Sequence, residues 1–376
     1  MDAIGLRRQE LETARRGLVE RRAFRFAFLA AGFVALVSAL YGGLMRIGWL
    51  LPWPPADLVS AHGALMTGGF FGALIGLERA VALGRLWPYL GPFSVALGTL
   101  AIWAGAPDIG LAFYACGGLV LAAASAFVWY RQRETFTAVI ALGAAFWAVG
   151  MLVWWLGGDR ASAIVALMLF LVLTIVGERL ELTRVLPPRP RAKPLFRGCV
   201  ALVLAGAALV PFWQEPGLRL LGLGFLSLSA WLATYDIARR TVRQSGLVRY
   251  AALCLLSGYG WLAAGGAILL AAPEPFGGLY YDAGLHAIFL GFVFAMVFAH
   301  APIIFPAVVR LPVPFRPHFY VHLVLLHLSL LVRLVGDLAD DPDLRMAGGL
   351  GNAAAIVLFI LATAGSVIAA RRAARA

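Results

Sequence analysis

Histidines within long apolar segments are the first residues of this sequence that suggest chemistry. His62 stands in "VSAHGALMTGGFF" and His286 in "YYDAGLHAIFLGF", each about one turn into an apolar run. A strongly polar side chain at membrane depth costs roughly 3 kcal/mol or more unless it is ligated, paired or hydrated. Two neutral imidazoles at equal depth on facing helices are what bis-histidine haem ligation requires. The alternative is that each histidine only hydrogen-bonds a neighbouring helix.

Two charged residues are expected to support this histidine pair. Asp282 precedes His286 by four residues, so its carboxylate shares a helix face with the imidazole and is expected to orient it. Arg333, in a later apolar run, is expected to pair with Asp337 and to meet a propionate if haem is bound. The predicted cofactor-binding residues are therefore His62, His286, Asp282 and Arg333.

Further histidines extend the set of candidate metal ligands. His300 follows His286 by fourteen residues, which returns it close to the same helix face but about 21 Å further along the axis. These two histidines therefore cannot bind one ion. His318 stands at the edge of its apolar run and is expected to be solvated. The predicted metal ligands are His62, His286, His300, His322 and His327.

A second polar group is expected at the opposite ends of the apolar runs, in "GALIGLERAVALGR" and "LTIVGERLELTR". One interpretation is a cluster of ion pairs that fixes helix packing, with side chains that reach water at the interface. The other is a proton relay with His300, beside a helix end that Pro302 and Pro306 are expected to loosen. The cluster comprises Glu78, Arg79, Glu178, Arg179, Glu181 and Arg184.

Composition identifies the elements that must position these residues. The chain is 62% hydrophobic and 13% charged, whereas soluble proteins average roughly 25% charged residues. Runs of about 20 apolar residues cross a bilayer as helices. Twelve such runs predict an all-α polytopic membrane protein, at residues 24–44, 58–77, 87–106, 109–130, 135–157, 161–180, 197–213, 217–237, 248–271, 281–309, 318–336 and 347–370.

The chain outside these runs is short. Residues 1–23 alternate acidic residues with arginines and predict an amphipathic surface helix. Residues 24–370 are expected to form a single domain, followed by a basic tail at 371–376. Cys116, Cys199 and Cys254 are isolated, and their spacing indicates neither a disulfide framework nor a zinc site.

The distribution of positive charge predicts the orientation. Of the 31 Lys and Arg residues, 26 fall on one side of the predicted spans, together with both termini. The other side has Arg46, Arg160, Arg219 and Arg345, with Arg333 inside a span. This positive-inside bias accounts for the net charge of +12 without a nucleic-acid partner. We therefore expect a multi-pass protein of a bacterial cytoplasmic membrane, with both termini in the cytoplasm.

Spans 2, 6 and 10 have related ends. The first two share a Gly, Glu, Arg cluster, and the third has His300 and Pro302 near the equivalent place. A recurrence every four spans predicts three arcs of four helices about a pseudo-threefold axis, with chance similarity between apolar helices as the alternative.

The settings "AHGALM" in span 2 and "LHAIFLGFVFAMVF" in span 10, within twelve spans, resemble the NnrS family of haem- and copper-containing bacterial membrane proteins. The span plan is also similar to subunit I of haem-copper oxidases. This resemblance implies that His62 and His286 are axial haem ligands, that copper can also be bound, and that the protein is connected with nitric oxide or respiratory redox stress. An electron donor or a small diffusible ligand such as NO would then be a partner, besides the lipid bilayer.

The resemblance does not extend to an oxygen-reducing centre. Spans 6 and 7 contain no histidine and span 10 lacks a paired HxH, so the copper ligands of haem-copper oxidases are absent, and no other complete catalytic constellation is found. Two alternatives to a haem or metal protein stay open. One is a proton-coupled small-molecule transporter that uses the cluster of Glu, Arg and His residues, and the other is a structural membrane protein without a cofactor.

Overall fold

The computed structural model describes residues 22–52, 58–187, 189–272 and 277–373 of the chain. Over these residues the fold is all-α, without strands. Its twelve principal helices are α1 (Arg22–Arg46), α2 (Leu58–Leu83), α3 (Leu90–Trp103), α4 (Pro107–Gln132), α5 (Thr135–Trp155), α6 (Arg160–Leu182), α7 (Ala192–Leu209), α8 (Gln214–Tyr235), α9 (Gly246–Ala271), α10 (Leu279–His286, Ala287–Phe294 and Ala295–Val309), α11 (Phe319–Leu338) and α12 (Pro342–Ala373).

The predicted all-α membrane class is confirmed. Within the described part of the chain, eleven helices are long and apolar enough to cross a membrane, with mean hydropathies of 1.3 to 2.4. The third predicted span is shorter than expected, since α3 has 14 residues. It follows a 3₁₀ turn that contains Pro88, and Gly105, with a φ of 78°, lies just beyond its end. A proline and a left-handed glycine are ordinary helix boundaries, which explains the difference.

The predicted terminal segments are described only in part. The amphipathic helix expected at residues 1–23 falls almost entirely on residues that the structure does not describe. Arg371 and Arg372, expected in a basic tail, continue α12 instead.

Helices α2, α6 and α10 form the buried centre of the protein. In their apolar stretches 67%, 78% and 72% of residues are buried, against at most 56% in the other candidate spans. These are the three helices whose ends resemble one another in sequence, so the recurrence coincides with a shared central position. All backbone hydrogen bonds of a helix are internal, which allows such elements to be buried away from water.

The centres of α2 and α10 depart from α-helical geometry. Leu65–Phe71 and Ala287–Phe294 are π-helical, whereas α6 is a regular α-helix. The two π-helical segments meet through aromatic rings: Phe70 stacks on Phe294 with centroids 6.1 Å apart, and Phe71 meets Phe294 edge-on at 5.4 Å. Segments of π-helix are rare and occur frequently at functional sites.

The prolines of α10 do not break the helix. The last α-helical segment includes both Pro302 and Pro306 and continues to Val309. The chain leaves the helix at Arg310, whose φ of 53° is left-handed. The expected irregularity therefore lies upstream, in the π-helical segment, because neighbouring helices support a transmembrane helix through its prolines.

Candidate functional site

Two histidines from different central helices reach one cavity. His62 lies near the start of α2, and His286 is the last residue before the π-helical segment of α10. Both line a cavity of about 210 Å³, as do Asp282 and Arg333. The fold thus brings together all four residues predicted to bind a cofactor. We call this site the arginine cavity, because it is also lined by Arg46, Arg160 and Arg345.

Backbone carbonyl groups orient both imidazoles. His62 Nδ1 lies 2.6 Å from the carbonyl oxygen of Ala39, and His286 Nδ1 lies 2.8 Å from that of Asp282. A carbonyl only accepts hydrogen bonds, so Nδ1 of His62 is the donor and Nε2 of its neutral ring has a free lone pair. His286 Nδ1 has two acceptors, the carbonyl and the carboxylate of Asp282, and a longer contact of 3.3 Å with the donor Arg333 Nη2. The two shorter contacts favour the same tautomer for His286. Neither Nε2 atom has a hydrogen-bond partner among the described residues. This is the tautomer in which histidines ligate a metal through Nε2.

Asp282 connects three helices around His286. Its carboxylate lies 3.2 Å from His286 Nδ1, accepts a hydrogen bond from Arg333 Nη2 at 2.9 Å, and lies 3.4 Å from Arg345 Nη2. Asp337 is closer to Arg345, at 2.8 Å, than to Arg333, at 3.8 Å. The predicted orientation of His286 by Asp282 agrees with this geometry. Arg333, however, pairs more closely with Asp282 than with the expected Asp337, because the tertiary fold offers it a nearer carboxylate.

Positive charge exceeds negative charge around the arginine cavity. Four guanidinium groups line it, against the carboxylate of Asp282 and that of Asp337 behind it. Arg46 is exposed and forms no ion pair with the described residues, and Arg160 lies over the Trp154 ring at 4.7 Å. Guanidinium groups recognise carboxylates and phosphates by paired hydrogen bonds. The cavity is therefore suited to a ligand that carries negative charge.

Apolar and aromatic side chains form the rest of the cavity wall. Met66, Trp154, Phe289, Leu290 and Phe294 all line it. Small-molecule sites typically combine such walls with a few convergent polar groups. The arginine cavity has this composition.

The glycines of α2 serve mostly to pack helices. A Cβ on Gly72 would lie 2.4 Å from the Trp147 ring, and one on Gly68 would lie 2.5 Å from Met151. Gly63 lines the arginine cavity, and a Cβ there would lie 3.3 Å from Trp154. Gly68 and Gly72 therefore allow neighbouring helices to approach α2 closely.

A second, smaller cavity lies beyond the aromatic contacts of the π-helical segments. It has a volume of about 70 Å³ and is lined by Glu78 of α2, Glu178 of α6 and His300 of α10. We call it the glutamate cavity. His286 and His300 thus line separate cavities, in agreement with the distance expected between them along one helix.

The other members of the predicted charged cluster have different environments. Arg179 is buried and forms a bidentate ion pair with Asp236, at 2.7 and 2.8 Å. Glu181 is exposed, and exposed Arg184 lies over the Phe136 ring at 5.5 Å. Arg79 is partly buried and follows Glu78 in α2. The cluster therefore divides into three parts. Arg179 joins helices through its ion pair, Glu181 and Arg184 are exposed, and the two glutamates Glu78 and Glu178 line the glutamate cavity.

Comparisons with known proteins identify a family. A model of the domain of unknown function DUF8744 matches residues 25–368. The chain belongs to the DUF8744 family. No curated protein and no solved structure matches it.

Two predicted metal ligands of this DUF8744 protein contact α9 instead of a cavity. His322 is buried, and its Nε2 lies 2.8 Å from the Tyr250 hydroxyl. His327 accepts a hydrogen bond from Trp261 Nε1 at 2.9 Å on Nδ1, and its Nε2 lies 2.9 Å from the Ser257 hydroxyl. Across the described residues, no three His, Cys, Asp or Glu side chains are grouped as they would be around one metal ion. The five predicted ligands are thus distributed over two cavities and two helix contacts.

The sequence reasoning missed three cavity residues of the DUF8744 protein. Arg46, Arg160 and Arg345 were assigned only to the arginine-poor face, yet all three line the cavity of the histidine pair. The sequence signal for these residues was that few arginines lie on that face. The positive-inside rule does not account for arginines there, so they are expected to have another role. The partner of Arg179, Asp236, was also missed.

Proposed function

We propose that this DUF8744 protein is an integral membrane protein that binds haem, or a related metal cofactor, through His62 and His286. The observation that carries this proposal is that two imidazoles with free Nε2 atoms and four guanidinium groups line one cavity with apolar walls. The resemblance to the NnrS family connects this function with nitric oxide or respiratory redox stress, and it also allows copper as a ligand.

The chemistry of the cavity fits an anionic macrocycle, and its volume of about 210 Å³, below the roughly 300 Å³ of a typical small-molecule site, requires the helices around it to move apart when the ring enters. His62 and His286 would hold the iron, the apolar and aromatic walls would contact the ring, and Arg46 and Arg160, which line the cavity and form no ion pair with the described residues, would meet its carboxylates. Once bound, haem would supply reversible one-electron chemistry, and it would take a diatomic ligand such as NO only in exchange for one of the two histidines.

The residues around His286 have a positioning role in this proposal. Asp282 holds the Nδ1 side of the imidazole through its carbonyl and its carboxylate, so that Nε2 is directed away from it. Arg333 and Arg345 in turn hold the Asp282 carboxylate. Such partners fix the orientation of a ligating histidine, and their loss typically lowers metal affinity by about 10- to 100-fold.

The proposed setting follows from the charge distribution of the chain. The protein would lie in a bacterial cytoplasmic membrane with both termini in the cytoplasm. The arginine cavity would then open toward the outer face, where an electron donor or a small diffusible ligand would reach it.

Absorption spectroscopy of the detergent-purified protein tests the proposal. We expect a Soret band that shifts on reduction with dithionite, and iron detected by elemental analysis. His62→Ala and His286→Ala should each abolish or shift this band, whereas His318→Ala, which changes an exposed histidine, should not.

Two results would contradict the proposal at different levels. Protein without a Soret band and without bound iron or copper, after expression with added haem precursor and copper, would exclude the cofactor. A spectrum that His62→Ala and His286→Ala leave unchanged would exclude these ligands, even if haem were present.

A further inference from the structure

The glutamate cavity places ionisable groups from all three central helices around one small space. Glu78, Glu178 and His300 come from α2, α6 and α10, and the other lining residues are apolar except for Thr174. The Thr174 hydroxyl donates a hydrogen bond to the Phe170 carbonyl at 2.7 Å. The three ionisable side chains are therefore the groups available to a ligand in this cavity.

Neither glutamate is neutralised by a direct partner. Within the described ranges, the carboxylates of Glu78 and Glu178 form no hydrogen bond and no ion pair. Buried Arg179, next to Glu178 in the chain, is committed to Asp236 through two hydrogen bonds. Two ionised carboxylates in a small apolar cavity repel each other and lose hydration, and one proton bound between them relieves both costs.

His300 brings a free ring nitrogen to the same cavity. Its Nδ1 lies 2.7 Å from the Met296 carbonyl oxygen, so Nδ1 donates and Nε2 of the neutral ring is free to accept a proton. The charged groups that act on this set from the surrounding elements are Arg79, Arg179, Glu181 and Asp236. Of these, Arg179 and Asp236 neutralise each other.

The size of the cavity limits what it can hold. Its volume of about 70 Å³ is well above the roughly 10–15 Å³ that one water molecule needs. It is far below the roughly 300 Å³ of a typical small-molecule site. The space therefore fits a few water molecules and a proton.

Aromatic rings separate this space from the arginine cavity. Phe71 and Val293 line the glutamate cavity, whereas Phe294 lines the arginine cavity and contacts both Phe70 and Phe71. These rings therefore lie between the two cavities.

We propose that the glutamate cavity is an intramembrane proton-binding site, in which Glu78 and Glu178 share a proton and His300 exchanges it through water that enters the cavity. The site is independent of any cofactor in the arginine cavity. It gives the protein a second chemical function, the uptake of protons at the end of the central helices that is opposite to the histidine pair.

Labelling with a hydrophobic carbodiimide tests this proposal, because the reagent modifies membrane-embedded carboxyl groups in their protonated form. The full-length protein in liposomes would be labelled at a series of pH values, and the modified residues would be identified by mass spectrometry. We expect labelling of Glu78 or Glu178 that persists at neutral pH and disappears at alkaline pH. Exposed Glu181, one turn beyond Glu178, is the internal control and should stay unlabelled at neutral pH.

Substitution of one glutamate should change the titration of the other. In Glu78→Gln the repulsion on Glu178 is removed, so half-maximal labelling of Glu178 should move to lower pH by roughly one to three units. Glu181→Gln should leave the pH of half-maximal labelling of Glu178 unchanged. Both variants would first be checked for an unchanged elution volume and thermal stability.

Three outcomes would overturn the proposal, and the first two need no variant. They are equal labelling of Glu181 and Glu178, absence of labelling at both cavity glutamates at neutral pH, and an unchanged titration of Glu178 in folded Glu78→Gln. A fourth result would also overturn it. If sodium chloride suppressed the labelling and choline chloride did not, sodium ions would be shown to occupy the site in place of the proton. None of these results depends on haem, so they are distinguishable from failure of the proposed cofactor site.

Discussion

The buried ion pair between Arg179 and Asp236 allows the sharpest prediction about stability. Its two hydrogen bonds of 2.7 and 2.8 Å join side chains that are 4% and 0% exposed. Asp236→Asn removes the charge but keeps an oxygen that can accept the hydrogen bond from the Ala238 backbone N–H. The variant leaves a buried guanidinium without its counter-ion, so we expect a loss of about 3–5 kcal/mol in the free energy of unfolding.

Reversible unfolding in mixed detergent micelles, followed by tryptophan fluorescence, would measure this loss. The matched control is Arg219→Ala, which breaks an ion pair with Glu215 whose side chains are 47% and 64% exposed. That variant should cost less than about 1 kcal/mol. In a double-mutant cycle, Arg179→Met combined with Asp236→Ala should show a coupling energy of about 2–3 kcal/mol. Two results would refute the reasoning. One is that the losses of free energy in the two single variants add up to the loss in the double variant, and the other is that Asp236→Asn loses no more than Arg219→Ala.

Three further predictions concern packing and orientation. Tyr250→Phe should lower the free energy of unfolding by about 1–3 kcal/mol, because it leaves the buried Nε2 of His322 without its partner; an unfolding curve that matches the unmodified protein would contradict this contact. Gly72→Ala should cost about 1–3 kcal/mol through overpacking against Trp147. Gly198→Ala, where a Cβ would meet nothing within 4 Å, should be close to neutral, and equal effects of the two alanines would argue against the close packing of α2. A green fluorescent protein fused to the C-terminus should fluoresce, because the positive-inside rule places that end in the cytoplasm, whereas a fusion active only as a periplasmic reporter would reverse the orientation.

The membrane class could be predicted from the sequence because the length of an apolar run is a property of that segment alone. Each apolar run that exceeds the thickness of a bilayer is expected to be a helix whatever its neighbours are. The exception is α3, whose boundaries depend on turn chemistry at Pro88 and Gly105 and shorten it to 14 residues.

Part of the candidate site was also predictable from local spacing. Asp282 and His286 are four residues apart, so their proximity follows from helix geometry alone. His62 and His286 were paired because each lies about one turn from the start of its span, and the alternating direction of successive spans places both starts on the same side of the membrane. The structure brings both histidines into one cavity.

The remaining contacts needed the tertiary structure. Arg333 has one carboxylate on its own helix and another on α10, and only the packing of the helices decides that Asp282 is nearer. His322 and His327 are as polar as His62, but the hydroxyl and indole groups of α9 satisfy them. The periodicity of a sequence shows on which face of a helix a residue lies. It does not show which chemical groups a neighbouring helix places opposite that face.

The sequence by itself determined that the chain is a bundle of helices long and apolar enough to cross a membrane, which few polar residues interrupt, and it predicts that their positive charge lies mostly on one side. The tertiary structure decided which of those residues converge: four arginines with one histidine pair, and two glutamates with a third histidine. The physical reason is that burial in lipid depends on the composition of each segment alone. The sharing of a cavity depends on the rotation and crossing of helices that are far apart in the chain.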